Sequence, residues 1–104
     1  MLLVCRFADP APDFAARAGR ALELLTAQPG CFGGELGRSV DEPGAWVLAV
    51  RFATVDAYRR ALGPFDVRAE VVPLLSEAMP EASTYETLGR AADGELATFP
   101  SLRA

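Results

Sequence analysis

The stretch WVLAVRFA, residues 46–53, decides the fold. Read as a strand, it puts Trp46, Leu48, Val50 and Phe52 on one side and Val47, Ala49 and Ala53 on the other, with Arg51 the single charge. An antiparallel strand covered on one side alone alternates apolar with polar residues. This one calls for cover on both sides. A chain of 104 residues has helix enough for one side, so a second copy is the expected cover for the other.

The length fits one domain with one modest core, and the 51% apolar content suits a compact domain. No apolar run approaches the roughly 18 residues of a membrane span. Arg6 and Asp9 interrupt the apolar start, so no signal peptide is expected and a cytoplasmic location is. A net charge of −4 gives nucleic-acid binding little electrostatic support. All ten basic residues are arginine, and the chain has no Lys, His or Asn. Histidine is therefore excluded as base or metal ligand, and lysine as a Schiff-base former. Cys5 and Cys31 form no CxxC and read as free, partly buried thiols. No metal-ligand spacing, paired-carboxylate motif or phosphate loop appears, and no cofactor is expected.

Working outward, Leu2–Phe7 is a strand apolar on both faces apart from Arg6. Asp9-Pro10-Ala11-Pro12 opens a helix. Phe14, Ala18, Ala21, Leu22 and Leu25 give it one stripe, and Gln28-Pro29-Gly30 ends it. A strand follows from Cys31 to about Ser39, where Gly33, Gly34 and Gly37 signal a bulge or close backbone approach. Asp41-Glu42-Pro43-Gly44 turns it into the 46–53 strand. Thr54 is the expected N-cap of a short helix, Val55–Leu62. Gly63-Pro64 breaks it, and a helix kinked at Pro73 is expected from Phe65 to about Met79. Ser83–Leu88 reads as the last strand. The order β-α-β-β-α-β predicts an α+β, ferredoxin-like antiparallel sheet with both helices on one face. Two such sheets packed face to face would form a dimeric α/β barrel. Residues 1–88 make the domain, and 89–104 a tail packing on its own or the partner subunit.

Gln28-Pro29-Gly30-Cys31, Gly34-Glu35-Leu36-Gly37-Arg38-Ser39, Trp46-Val47-Leu48, Tyr58-Arg59-Arg60-Ala61-Leu62 and Val72-Pro73-Leu74-Leu75-Ser76 together resemble an actinobacterial branch of the antibiotic biosynthesis monooxygenase family. The resemblance covers roughly residues 1–88. It implies a homodimer joined through sheet faces, with a pocket between sheet and helices in each protomer. It also implies relatives ranging from cofactor-free oxygenases of aromatic polyketides and haem-degrading enzymes to isomerases. The chain departs from that pattern in three places. Arg59 and Arg60 stand where haem-degrading relatives carry a histidine, Phe52 stands where a tryptophan is common, and the Asn of quinone-forming relatives has no counterpart.

An oxygenase without metal or flavin needs an electron-rich anionic substrate, stabilised in an apolar space that O2 can enter. Arginine supplies the counter-charge and tyrosine the directional hydrogen bond. Arg51 and Tyr58 are the candidate catalytic residues. Arg6, Phe14, Trp46, Phe52, Phe65 and Tyr85 are candidate pocket residues. Each also has a plainer reading: an arginine paired with a carboxylate or reaching for the rim, an aromatic ring packed in the core. Glu35 and Glu86 are the strand carboxylates available as base or ion-pair partner. Two functions stay open. One is a cofactor-independent monooxygenase of an aromatic or polyketide-like molecule, which requires an enclosed pocket. The other is a non-catalytic dimeric module that binds a small hydrophobic ligand or only assembles, which requires a filled core and satisfied arginines.

Overall fold

The computed structural model describes residues 1–103. Strands β1 (Leu2–Ala8), β2 (Cys31–Arg38), β3 (Ala45–Phe52) and β4 (Thr84–Tyr85) form one antiparallel sheet in the order β2-β3-β1-β4. Helices α1 (Phe14–Thr26), α2 (Val55–Ala61), α3 (Phe65–Glu70) and α4 (Val72–Leu75) supply the second layer. Strands β5 (Gly89–Ala92) and β6 (Glu95–Thr98) pair as a separate ribbon. The α+β architecture is the one the element order predicts.

Register fixes the faces, because directly paired residues share a side of the sheet. Leu3 pairs with Val50 and Cys5 with Leu48. These residues, with Phe7 and Phe52, are buried under the helices. Helix α1 lays Phe14, Ala18, Ala21, Leu24 and Leu25 on them. Val67, Val71 and Leu74 close the layer from α3 and α4. Gly34 lets α1 approach the sheet: a Cβ there would lie 3.0 Å from Leu22 Cδ2 and 2.9 Å from the Ala49 carbonyl oxygen. The expected bulge falls between Cys31 and Gly33.

The opposite face carries Leu2, Val4 and Arg6 from β1, Val47, Ala49 and Arg51 from β3, Glu35 from β2 and Tyr85 from β4. Among the described residues, no helix covers it. The apolar character of β3 on both sides is thus accounted for on one side only.

The local signals hold at most joints. The Thr54 hydroxyl accepts from the Ala57 amide at 3.0 Å, capping α2. The Ser39 amide donates to the Ala45 carbonyl and the Ala45 amide to the Glu42 carbonyl, closing the β2–β3 turn. Gly30 ends the α1 segment at φ +82.

Two elements are shorter than expected. The kinked helix over residues 65–79 is two pieces, α3 and α4, because Pro73 has no N–H to bond back along the helix. The strand expected over 83–88 pairs only at Thr84 and Tyr85, which meet Leu3 and Leu2. Strand β1 begins at Leu2, so residues 86–88 run past the end of their neighbour. The mixed tail expected after Gly89 is ordered as β5 and β6, joined by Asp93 and Gly94 at φ +53 and +78. Positive φ at both central residues is the geometry of a two-residue hairpin turn.

Candidate functional site

The space between sheet and helices, where an enclosed chamber was expected, is filled. Phe14, Leu25, Leu48, Phe52, Val67 and Leu74 occupy it at 2% exposure or less. Two aromatic clusters sit at its ends. At one, Phe14 packs on Phe7 at 4.6 Å between centroids and edge-on to Trp46 at 5.5 Å, and Arg38 stacks over Trp46 at 5.0 Å. At the other, Phe52 meets Tyr58 edge-on at 5.4 Å.

The sequence candidates therefore separate. Arg6, Phe14 and Trp46 gather at the β2–β3 turn end, where open grooves of about 510 and 460 Å3 run beside Asp9 and Pro43. Arg6 is held by Glu81 in a two-point pair at 2.9 and 2.7 Å. That is the ion-pair reading of Arg6, with Glu81 in place of the strand carboxylates Glu35 and Glu86. Phe52, Tyr58 and Tyr85 lie at the opposite end. Arg51 projects from the helix-free face, so the sheet stands between it and Tyr58. Phe65 does not wall a pocket: it is 79% exposed. The buried stripe of α3 runs through Val67 and Val71, and residue 65 points away from both.

The Tyr58 end offers the best-formed site. A cleft of about 110 Å3 is bounded by Met1, Val55, Tyr58, Arg59, Thr84, Tyr85 and Glu86. A larger one of about 390 Å3 adjoins it, sharing Met1, Val55 and Glu86 and continuing to Phe32, Thr54, Thr87, Arg90, Phe99 and Leu102. The two make one groove between the β3–α2 junction and the C-terminal arm. More of its wall is apolar than polar, and Arg59, Glu86 and Arg90 place charged groups along it.

Tyr58 is half-buried, and burial, reinforced by nearby Cys5, pushes its phenol above the ordinary value. At neutral pH the hydroxyl is a hydrogen-bond donor and no base. Cys5 itself is raised by burial, an effect the Ser83 hydroxyl partly offsets. The Tyr85 hydroxyl donates to the Ala82 carbonyl at 3.0 Å. Glu86 accepts hydrogen bonds from the Ser101 hydroxyl and, at 3.0 Å, the Leu102 amide, and these hold its carboxyl below the usual range.

Sequence reasoning missed Phe32, Thr87, Arg90 and Phe99 as members of one site. The Asp93-Gly94 pair was the available signal: it folds the arm back and carries Arg90 over the Phe32 and Phe99 rings, at 5.8 and 5.4 Å. Among the described residues, no cluster of His, Cys, Asp and Glu is arranged to hold a metal ion. None of the helices described is long and apolar enough to cross a membrane.

Comparison with known proteins agrees with this fold. Among solved structures, SnoaB from Streptomyces nogalater, described as a cofactor-independent oxygenase, is similar over 99% of this chain and 93% of its own, with TM-score 0.63 and 24% identity. A point mutant of SnoaB superposes at TM-score 0.66 with 20% identity over the same shares. Rv0793 from Mycobacterium tuberculosis is similar over 99% of this chain and 95% of its own, with TM-score 0.60 and 19% identity. At these identities the likeness establishes the fold. Among curated proteins, none matches the chain in sequence. The family model described as "Antibiotic biosynthesis monooxygenase" matches residues 8–64, more than half of the chain. This chain therefore belongs to the antibiotic biosynthesis monooxygenase family.

Proposed function

We propose that the protein is a homodimeric, cofactor-independent monooxygenase, or a closely related enzyme, acting on an aromatic, polyketide-like molecule. The observation that carries this reading is the Tyr58 groove in a chain of this family: a protonated phenol at the edge of a cleft with both apolar and polar walls. A substrate methylene between aryl rings and conjugated with a ketone gives an electron-rich enolate when it loses a proton to solvent water, and a proton returns from solvent to the peroxide anion formed later. The enolate donates electrons to O2, and the peroxide that forms loses water to leave a quinone. One O2 is consumed and one water released. Tyr58 donates to the enolate oxygen, where negative charge builds.

A second copy on the helix-free face would cover Leu2, Val4, Val47 and Ala49, complete the barrel, and meet Arg51 and Glu35. Residues 1–88 form the domain in this reading, and 89–104 an arm lying against its own or the partner's body. The cytoplasm and the actinobacterial branch of the family fit the sequence signals. In the assay, oxygen uptake with anthrone is measured for wild type, Tyr58→Phe and Arg51→Ala. Tyr58→Phe lowers kcat by tenfold or more. Loss of uptake in Arg51→Ala, with the dimer intact, would give the helix-free-face arginine a role through the second copy. Absence of turnover across a broad panel of anthrones and phenols would remove the oxygenase reading.

Three observations favour a second reading, a dimeric module that binds a small ligand or only assembles. The core is filled. Arg51 and Tyr58 lie on opposite sides of the sheet. The Asn of quinone-forming relatives has no counterpart in a chain without Asn, and Phe52 stands in β3 where a tryptophan is common in the family. Under this reading, oxygen uptake stays at background while the dimer persists.

A further inference from the structure

We propose that the 390 Å3 cleft beneath the C-terminal arm binds an aromatic carboxylate through Arg90. The inference goes beyond the oxygenase reading and does not need turnover.

Among the described residues, Arg90 has no carboxylate partner. The ion pairs there are Arg6–Glu81, Arg17–Glu77 and Arg20–Glu70. The guanidinium of Arg90 instead lies over two rings, Phe32 at 5.8 Å and Phe99 at 5.4 Å. Stacking engages the flat faces of a guanidinium and leaves its N–H edge free. That edge matches the two oxygens of a carboxylate, and the bidentate pair is among the stronger polar contacts available.

The remainder of the cleft fits the rest of such a ligand. Met1 and Val55 offer apolar wall to a ring, and the volume suits one or two fused rings. The hydroxyl of Thr87, which also lines the cleft, is shut off from solvent and has no hydrogen-bond partner among the described residues. A buried hydroxyl left unpaired is costly, and a small shift of the arm on binding would bring it to the ligand. The anion that lines the cleft, Glu86, is already engaged by Ser101 and Leu102.

The test titrates 2-naphthoate into the full-length protein and follows backbone amide shifts by NMR. Saturable one-to-one binding that moves the Phe32, Val55 and Thr87 resonances is expected. Arg90→Gln should weaken it at least tenfold, Arg90→Lys should fail to restore it, and the neutral 2-naphthamide should bind at least tenfold less tightly than naphthoate. Arg90 is exposed, so its replacement leaves the core intact. No saturable shift at millimolar naphthoate, equal affinity in Arg90→Gln, or shifts centred on Trp46 would overturn the proposal. A protein that binds naphthoate but never consumes oxygen keeps this inference and loses the oxygenase reading. One that oxidises anthrone but ignores naphthoate does the reverse.

Discussion

Replacing Phe52 with alanine distinguishes a filled core from a ligand chamber. Phe52 is 0% exposed and packs edge-on to Tyr58. Removing the ring forfeits about 2 kcal/mol of apolar transfer. It also leaves a void of roughly 80 Å3, worth about 2 kcal/mol at ~24 cal/mol per Å3. The aromatic pair adds about 0.5–1.5 kcal/mol. The expected loss is therefore about 4.5–5.5 kcal/mol, at or just above the upper end of Phe→Ala truncations in cores. With a urea m-value of about 2 kcal/mol per molar, the midpoint falls by about 2.5 M. The assay is equilibrium urea denaturation by circular dichroism, with wild type and variant at the same protomer concentration because association is linked to stability. A loss below about 1.5 kcal/mol at unchanged m would refute the reasoning. Phe52 would then face open space, and the chamber expected between sheet and helices would exist after all.

The other expectations concern single contacts. Gly30→Ala forces a left-handed φ on a residue whose Cβ would lie 2.7 Å from Ala57 Cβ. The backbone cost of about 1–2 kcal/mol and overpacking of about 1–3 kcal/mol should lower thermal stability together, and a loss under about 1 kcal/mol would contradict the geometry. Hydrogen bonds from Arg6 and Arg17 hold the Glu81 and Glu77 carboxyls below the ordinary range. A depressed carboxylate stabilises the fold above its unfolded pKa of about 4.3 and loses that contribution as pH falls through the folded value. Glu81→Gln should thus show a shallower decline in stability below about pH 4.3; a curve parallel to wild type would deny the Arg6 pair any energetic role. Cys5 is buried with its thiol pKa raised, so at about pH 8 it should react with Ellman's reagent only on unfolding. Equal labelling of both cysteines at the denatured rate would contradict its burial.

The sheet and its first helix were legible because their signals are local and agree with one another. Gly30, the Asp41–Gly44 turn and Thr54 punctuate the chain at the places where elements begin and end. The period-two pattern of residues 46–52 assigns its faces without knowledge of the neighbours. The lengths of the later elements were less legible. The end of β4 depends on where β1 starts, a fact of register that residues 83–88 do not carry. Tyr58 and Arg51 are close in sequence and divided by the sheet. The need for a counter-charge and a directional hydrogen bond gave them a common role that the alternation of β3 denies within one copy. The Arg90 cluster joins residues 32, 90 and 99, and no spacing rule brings those three together. Only the Asp93-Gly94 turn hinted that the arm folds back.

The β5–β6 ribbon has a consequence of its own. Two short strands joined by a tight turn have little independent stability in water, and every residue of both is exposed. Whatever order the ribbon keeps is borrowed from the surface it leans on. The rate at which a protease nicks the chain near Asp93 therefore gauges that support, and should slow when a second copy or a bound ligand braces the arm.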